Sequence, residues 1–83
     1  MHENKLKNII SKFVKLPPES IIEETIIDSS VLKGSVLFHR MISRVNDLYD
    51  IQIENYNQIN SYKDLVKLIN KHLWLIIFQL VLI

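Results

Sequence analysis

The chain has 83 residues, with ten Lys and Arg against nine Asp and Glu, so its formal net charge is +1. This length predicts one small domain, and the balanced charge disfavours strong nucleic-acid binding or a polybasic membrane protein. The chain has no cysteine, which excludes disulfides, thiolate zinc sites and cysteine nucleophiles. Its single glycine, Gly34, excludes a glycine-rich phosphate loop or dinucleotide fingerprint.

The first predicted helix covers residues 3–16. Apolar residues recur there at the three- and four-residue steps of one helix face, and four lysines lie away from that face. The apolar face consists of Leu6, Ile9, Ile10, Phe13 and Val14. We expect the helix to end at Pro17-Pro18, because proline cannot continue the backbone hydrogen-bond ladder.

A long connection follows at residues 17–34. It holds two isoleucine pairs, Ile21-Ile22 and Ile26-Ile27, separated by polar residues. Connections of this length are uncommon in small domains unless they pack or have a function. We therefore expect this segment to lie across the core, held there by the isoleucines, with a short helical turn inside it.

A second helix is predicted over residues 36–49. Its broad apolar face consists of Leu37, Phe38, Met41, Ile42, Val45, Leu48 and Tyr49. Ser35 is the predicted N-cap, with its side-chain oxygen accepting a hydrogen bond from the first turn. Ile51 and Ile53 alternate after the helix, but the segment is too short to predict a strand.

A short turn and a third helix are predicted next. Residues 54–59 fit one helical turn with Tyr56 and Ile59 facing inward, and Ser61 and Asp64 have the spacing of a capping box. An apolar stripe then continues through at least His72. Together these elements predict a small all-α bundle over residues 1–72.

The last segment, from Leu73 to Ile83, is a separate region in which ten of eleven residues are apolar. As a helix it would rise about 17 Å, against a hydrocarbon core of about 30 Å, so a spanning helix is not expected. We expect an extension of the third helix that packs or self-associates, with membrane contact as the alternative. Residues 1–8 lack the apolar stretch of a secretory signal, so the expected location is the cytoplasm.

Three parts of the sequence resemble the acyl and peptidyl carrier proteins. Residues 31–36, VLKGSV, lie where that family has Leu-Gly-x-Asp-Ser-Leu, and residues 50–53, DIQI, match its exit from the second helix. Residues 59–69 are similar to the family's final helix. The resemblance covers about residues 5–72, and it implies a four-helix bundle with a long first loop.

The resemblance also implies a function and a site. A phosphopantetheinyl transferase would attach 4′-phosphopantetheine to Ser35, flanked by Gly34 and Val36, and the arm would carry thioester cargo between loading and tailoring enzymes. The protein itself would not be an enzyme. A phosphate on a serine at a helix N-terminus lies at the positive end of the helix dipole. Gly34 occupies the family's Asp position and Leu32 its Gly position, so a carrier-like interaction module without the arm is the alternative.

Basic residues distinguish the second helix from that of fatty-acid carriers, which is strongly acidic. Lys33, Arg40 and Arg44 form a predicted partner-binding surface that favours acidic or apolar partners in a dedicated pathway. A DNA-recognition helix is a weaker alternative, because the preceding loop is too long for a helix-turn-helix. The histidines, His2, His39 and His72, lack metal-site spacing, so no metal is expected.

Overall fold

The computed structural model describes residues 3–54 and 56–82, with side chains described as far as Phe78. These residues form three α-helices, α1 (Glu3–Val14), α2 (Ser35–Tyr49) and α3 (Tyr62–Leu82). Two short 3-10 turns, Pro18–Ser20 and Tyr56–Gln58, lie between them. The described residues contain no β-strand, so the predicted all-α class is confirmed. The parts of our predictions that fall on residues 1, 2, 55 and 83, including His2, lie outside this range.

Helix α1 packs its predicted apolar face against α2. Leu6, Ile10 and Val14 are buried, and Ile9 and Phe13 pack at the edge of the core. The helix ends two residues earlier than predicted, because Lys15 adopts a left-handed conformation with φ of 60°. That residue breaks the helical backbone before the prolines are reached.

The connection between α1 and α2 lies across the core, as predicted. Ile21 and Ile27 are buried, whereas Ile22 and Ile26 are 58% and 44% exposed. Successive side chains of an extended segment point to opposite sides, so each isoleucine pair supplies one core residue. The predicted short turn is also present, at Pro18–Ser20.

Backbone hydrogen bonds tie this connection to the start of α3. The N–H of Ile27 donates to the carbonyl of Asn60 at 2.8 Å, and the N–H of Tyr62 donates to the carbonyl of Thr25, also at 2.8 Å. The N–H of Lys63 donates to the carbonyl of Glu23 at 3.0 Å. The long connection is therefore a fixed part of the fold.

Helix α2 buries Phe38, Met41, Ile42 and Val45 from its predicted apolar face. It ends at Tyr49, after which Asp50 is left-handed with φ of 53°. The Asn46 side chain then accepts a hydrogen bond from the N–H of Ile53 at 3.1 Å, while the Asn46 carbonyl accepts from Ile51. These bonds hold the exit segment against the helix end and bury Ile53.

The predicted capping box opens α3. The Ser61 N–H donates to Asp64 Oδ2 at 3.1 Å, and the Asp64 N–H donates to Ser61 Oγ at 3.3 Å. The N–H groups of Asn60 and Ser61 that donate to the Asp64 carboxylate lower its pKa. The preceding turn is also as predicted, with Ile59 buried and Tyr56 partly buried.

Helix α3 begins in the core and continues beyond it. Tyr62, Leu65 and Ile69 are buried, but the five consecutive residues 74–78 are between 42% and 65% exposed. The molecule is correspondingly elongated, with extents of 43 × 24 × 20 Å. None of the described helices is long and apolar enough to cross a membrane.

Candidate functional site

Ser35 is exposed at the start of α2. The prediction that Ser35 is the N-cap is wrong: Gly34 occupies that position, and Ser35 is the first residue of the helix. No side-chain hydrogen bond caps this helix end. The Ser35 hydroxyl is therefore not engaged in capping.

A closed turn over residues 28–34 positions this serine. The carbonyl of Asp28 accepts from the N–H groups of Val31 and Leu32, and the N–H of Gly34 donates to the carbonyl of Ser29 at 3.3 Å. Asp28 Oδ1 also accepts from the backbone N–H and the hydroxyl of Ser30. These local bonds order the backbone immediately before the helix without using Ser35.

Leu32 anchors the same turn in the core. Its side chain is only 1% exposed, whereas Val31 before it and Lys33 after it are exposed. A glycine at this position, as in the carrier-protein pattern, could not bury a side chain. The departure from that pattern at residue 32 therefore adds a hydrophobic anchor beneath the turn.

Gly34 supplies a backbone conformation that other residues rarely adopt. Its φ is 115° and its ψ is 169°, a combination essentially restricted to glycine. A Cβ at this position would meet no heavy atom within 4 Å, so the requirement comes from the backbone and not from crowding. This conformation turns the chain directly into α2.

The start of α2 favours a negatively charged group. The first N–H groups of a helix have no intrahelical acceptor, and they form the positive end of the helix dipole. The first turn of α2 contains no acidic side chain. A phosphate attached to Ser35 Oγ would lie beside these donors, and the exposed hydroxyl leaves room for it.

A shallow cavity of about 520 Å³ follows α2 from the residue after Ser35. Its walls include Val36, Arg40 and Arg44, three of the predicted site residues. Val36 is 65% exposed, so its side chain adds an apolar surface at the end of the cavity nearest Ser35. Lys33, which was predicted to share this partner surface, does not line the cavity. The remaining lining residues are Phe13, Leu37, His39, Ser43 and Asp47.

His39 lies one turn after Ser35 and contacts Tyr56 from the second short turn. The Tyr56 hydroxyl hydrogen-bonds the His39 ring, and the two rings meet edge to face with centroids 4.8 Å apart. Tyr56 also packs edge to face on Phe38 at 5.6 Å. Sequence reasoning missed this contact, because the two residues lie 17 positions apart and neither belongs to a motif.

The hydrogen bonds of His39 and Asp28 decide whether these residues could form a hydrolase triad with Ser35. Ser35 and His39 share a helix face, and with Asp28 they contain the residue types of a catalytic triad. In the structure Asp28 binds Ser30, while His39 binds Tyr56. The described hydrogen bonds therefore do not join the three residues into a triad.

No group of three or more His, Cys, Asp or Glu that could hold a metal ion occurs within residues 3–54 and 56–82. Comparison with known proteins gives no relative: no family model, curated protein or solved structure matches this chain.

Proposed function

We propose that this chain is a carrier protein that holds acyl, aminoacyl or peptidyl groups as thioesters on a 4′-phosphopantetheine arm attached to Ser35. The observation that carries the proposal is the position of Ser35. Its hydroxyl is exposed, is not used as a cap, and lies at the positive end of α2 behind an ordered turn. This arrangement presents a serine to another enzyme without requiring the core to open.

The attachment reaction is carried out by a phosphopantetheinyl transferase with coenzyme A. Ser35 Oγ forms a bond to the phosphorus next to the pantetheine, and the pyrophosphate bond of coenzyme A breaks. Adenosine 3′,5′-bisphosphate leaves, and the hydroxyl proton passes to a base on the transferase. The arm supplies the thiol that carries the cargo, while the chain supplies the attachment point and the surface that enzymes recognise.

The fold is compatible with the four-helix arrangement that this function implies. In this interpretation α1, α2 and α3 are the three longer helices, and the Tyr56–Gln58 turn takes the place of the short helix. The ordered connection before Ser35 corresponds to the long first loop. The expected compartment is the cytoplasm, where coenzyme A and its transferases are available.

Partner recognition is proposed to use the basic side of α2. Arg40 and Arg44 lie one turn apart in the cavity that begins beside Ser35, and exposed Lys33 precedes the helix. Opposite charges accelerate and orient association, so loading and tailoring enzymes with acidic surfaces are the expected partners. We do not expect this chain to be an efficient carrier for the general fatty-acid synthase, because the enzymes of that system recognise acidic carriers.

The test is the intact mass of the full chain after incubation with coenzyme A, magnesium and a broad-specificity phosphopantetheinyl transferase. The expected result is a gain of one phosphopantetheine unit. Ser35→Ala should abolish the gain. Ser20→Ala, which changes an exposed serine outside the proposed partner surface, should leave it intact. Failure of several transferases to modify the wild-type chain would contradict the proposal.

A second candidate function is a carrier-like interaction module that takes no arm. The observation that favours it is Gly34, because the family's Asp is missing and the glycine backbone holds a conformation that Asp rarely adopts. Such a module would work through the surface of α2 and the apolar end of α3. An unmodified wild-type mass would favour this function over the first.

A further inference from the structure

The strongest feature outside the Ser35 region is the apolar end of α3, defined here as residues 73–82. Gln79 is its only polar residue. Trp74, Leu75, Ile76, Ile77 and Phe78 are consecutive, and each is at least 42% exposed. Successive residues of an α-helix are about 100° apart, so these five side chains cover the whole circumference. Leu73 still packs against the core, but from residue 74 to residue 78 every side chain of this segment is exposed.

The all-round exposure indicates what kind of partner covers this segment. A second helix buries one stripe of side chains, because helices pack by fitting ridges into grooves along a line. A helix that is apolar on every side is typical of a surrounding that is apolar on every side, such as lipid. Dimerisation through one face would leave most of this surface in water.

The charges next to the apolar end favour a lipid with anionic headgroups. Lys63, Lys67 and Lys71 follow one another at four-residue steps and are all exposed, so they form a row along one side of α3. Such a row adjoining an apolar segment is attracted to anionic headgroups. Parallel self-association would instead bring these rows of like charge together.

Trp74 lies between the row of lysines and the exposed apolar residues that follow it. It lies three residues after Lys71 and is 65% exposed. Tryptophan is enriched at membrane–water interfaces, where its ring meets both apolar and polar groups. Residues 73–82 rise about 15 Å as a helix, which is half of a hydrocarbon core of about 30 Å. These residues are therefore long enough to reach from the interface into the acyl chains.

We propose that the apolar end of α3 binds to a bilayer that contains anionic lipids. In this arrangement Lys67 and Lys71 lie at the headgroups, Trp74 lies at the interface, and residues 75–78 contact acyl chains. The site is separate from Ser35, so the inference does not depend on the proposed carrier function. It would place the domain, with its exposed serine, at a membrane surface.

Trp74 is the only tryptophan of the chain, so its fluorescence reports directly on this segment. The experiment adds the full chain to vesicles of phosphatidylcholine alone and to vesicles that also contain phosphatidylglycerol. We expect the Trp74 emission to shift to shorter wavelength and the protein to co-sediment with the vesicles, more strongly when phosphatidylglycerol is present. Lys67→Gln with Lys71→Gln should weaken binding to the anionic vesicles by roughly fivefold per lysine.

A matched pair of isoleucine variants distinguishes binding through the apolar end of α3 from non-specific hydrophobic binding to vesicles. Ile77 and Ile22 are exposed to similar extents, 53% and 58%, but only Ile77 lies in the apolar end of α3. Ile77→Glu should abolish vesicle binding and Ile22→Glu should retain it, with far-UV circular dichroism confirming that both fold. Equal loss in both variants would overturn the proposal.

Two further outcomes would also contradict it. One is an unchanged Trp74 emission with both kinds of vesicle. The other is an emission shift that appears without lipid, grows with protein concentration and accompanies oligomers in sedimentation velocity. That second result would assign the apolar end of α3 to a second copy of the chain.

Discussion

At the scale of single residues, the region before α2 combines two unusual backbone conformations. Lys33 has φ of 38° and Gly34 has φ of 115°, so the chain turns sharply just ahead of Ser35. Only Gly34 needs to be glycine, because its ψ of 169° places it outside the left-handed helical region that other residues can enter. The backbone conformation at the entry to α2 thus requires this glycine.

Replacement of Gly34 is expected to destabilise the domain. Gly34→Ala should lower the free energy of unfolding by about 1–3 kcal/mol, because alanine is strained in this conformation. Gly34→Asp, which restores the residue of the carrier-protein pattern, should lose a similar amount. Urea denaturation measures both. Lys33→Gly is the matched control, and it should be at least as stable as wild type. Wild-type stability in Gly34→Ala would contradict the described turn.

Tyr62 gives a pH-dependent prediction at the same scale. Its hydroxyl is buried and has no hydrogen-bond partner among the described residues. Burial, assisted by the negative charge of Glu3, raises the pKa of Tyr62 to about 12 from an ordinary value of 10.0. The folded state therefore favours the protonated phenol, and this contribution to stability is complete below pH 10 and is lost as the pH rises towards 12.

Tyr62→Phe should reduce that alkaline loss, because phenylalanine cannot ionise. At neutral pH the variant should be as stable as wild type or slightly more stable, since the lost hydroxyl had no partner. Burial also raises the pKa of Tyr49, so part of the alkaline loss should remain. Urea denaturation from pH 7 to pH 11 measures the difference. An alkaline loss identical to that of wild type would show that Tyr62 is not buried as described.

At the scale of elements, the connection between α1 and α2 has little regular secondary structure, yet it is held in place by core side chains and backbone hydrogen bonds. Ile21 and Ile27 anchor it in the core, and backbone hydrogen bonds join it to residues 60–63. This element carries the turn before Ser35. Its attachment to the core therefore determines where the proposed modification site lies.

Neighbouring isoleucines test this attachment. Ile27→Ala should lower the free energy of unfolding by about 2–5 kcal/mol, because it removes methyl groups from a fully buried site and leaves a cavity. Ile26→Ala should lower it by clearly less, about 1 kcal/mol or below, because Ile26 is already 44% exposed. Thermal or urea unfolding measures both variants. Similar effects of the two substitutions would indicate that the connection is not held as described.

The helices were predictable because their signals are local. The apolar faces of α1 and α2 follow a helical repeat, and the capping box of Ser61 and Asp64 is visible in four consecutive residues. The end of α1 at Val14 and the capping role of Gly34 were not predicted correctly. Both depend on backbone angles that no side-chain pattern specifies.

At the scale of the whole molecule, the packed helical domain and the apolar end of α3 differ in how much of their apolar surface is buried. The domain buries its core among the three helices, whereas α3 extends beyond that core with the side chains of residues 74–78 exposed. Burial of several such side chains is worth on the order of 10 kcal/mol, comparable with the stability of an entire small domain. The surface that covers this segment is therefore a major determinant of how the molecule behaves.

The candidate site was only partly predictable at this scale. The sequence pattern singled out Ser35 and placed Arg40 and Arg44 on the same helix, and the structure brings both arginines into one cavity beside it. The contact between His39 and Tyr56 required the fold, because it joins α2 to a turn distant in sequence. The attachment of an arm to Ser35 remains a prediction that chemistry must test.

The most direct measurement is the location of phosphopantetheine after transfer from coenzyme A to the full chain. Fragmentation of the modified protein in a mass spectrometer distinguishes Ser35 from Ser29 and Ser30 in the preceding turn. The account predicts a single arm on Ser35, because its exposed hydroxyl lies at the start of α2. An unmodified chain, or an arm on Ser29 or Ser30, would contradict the account.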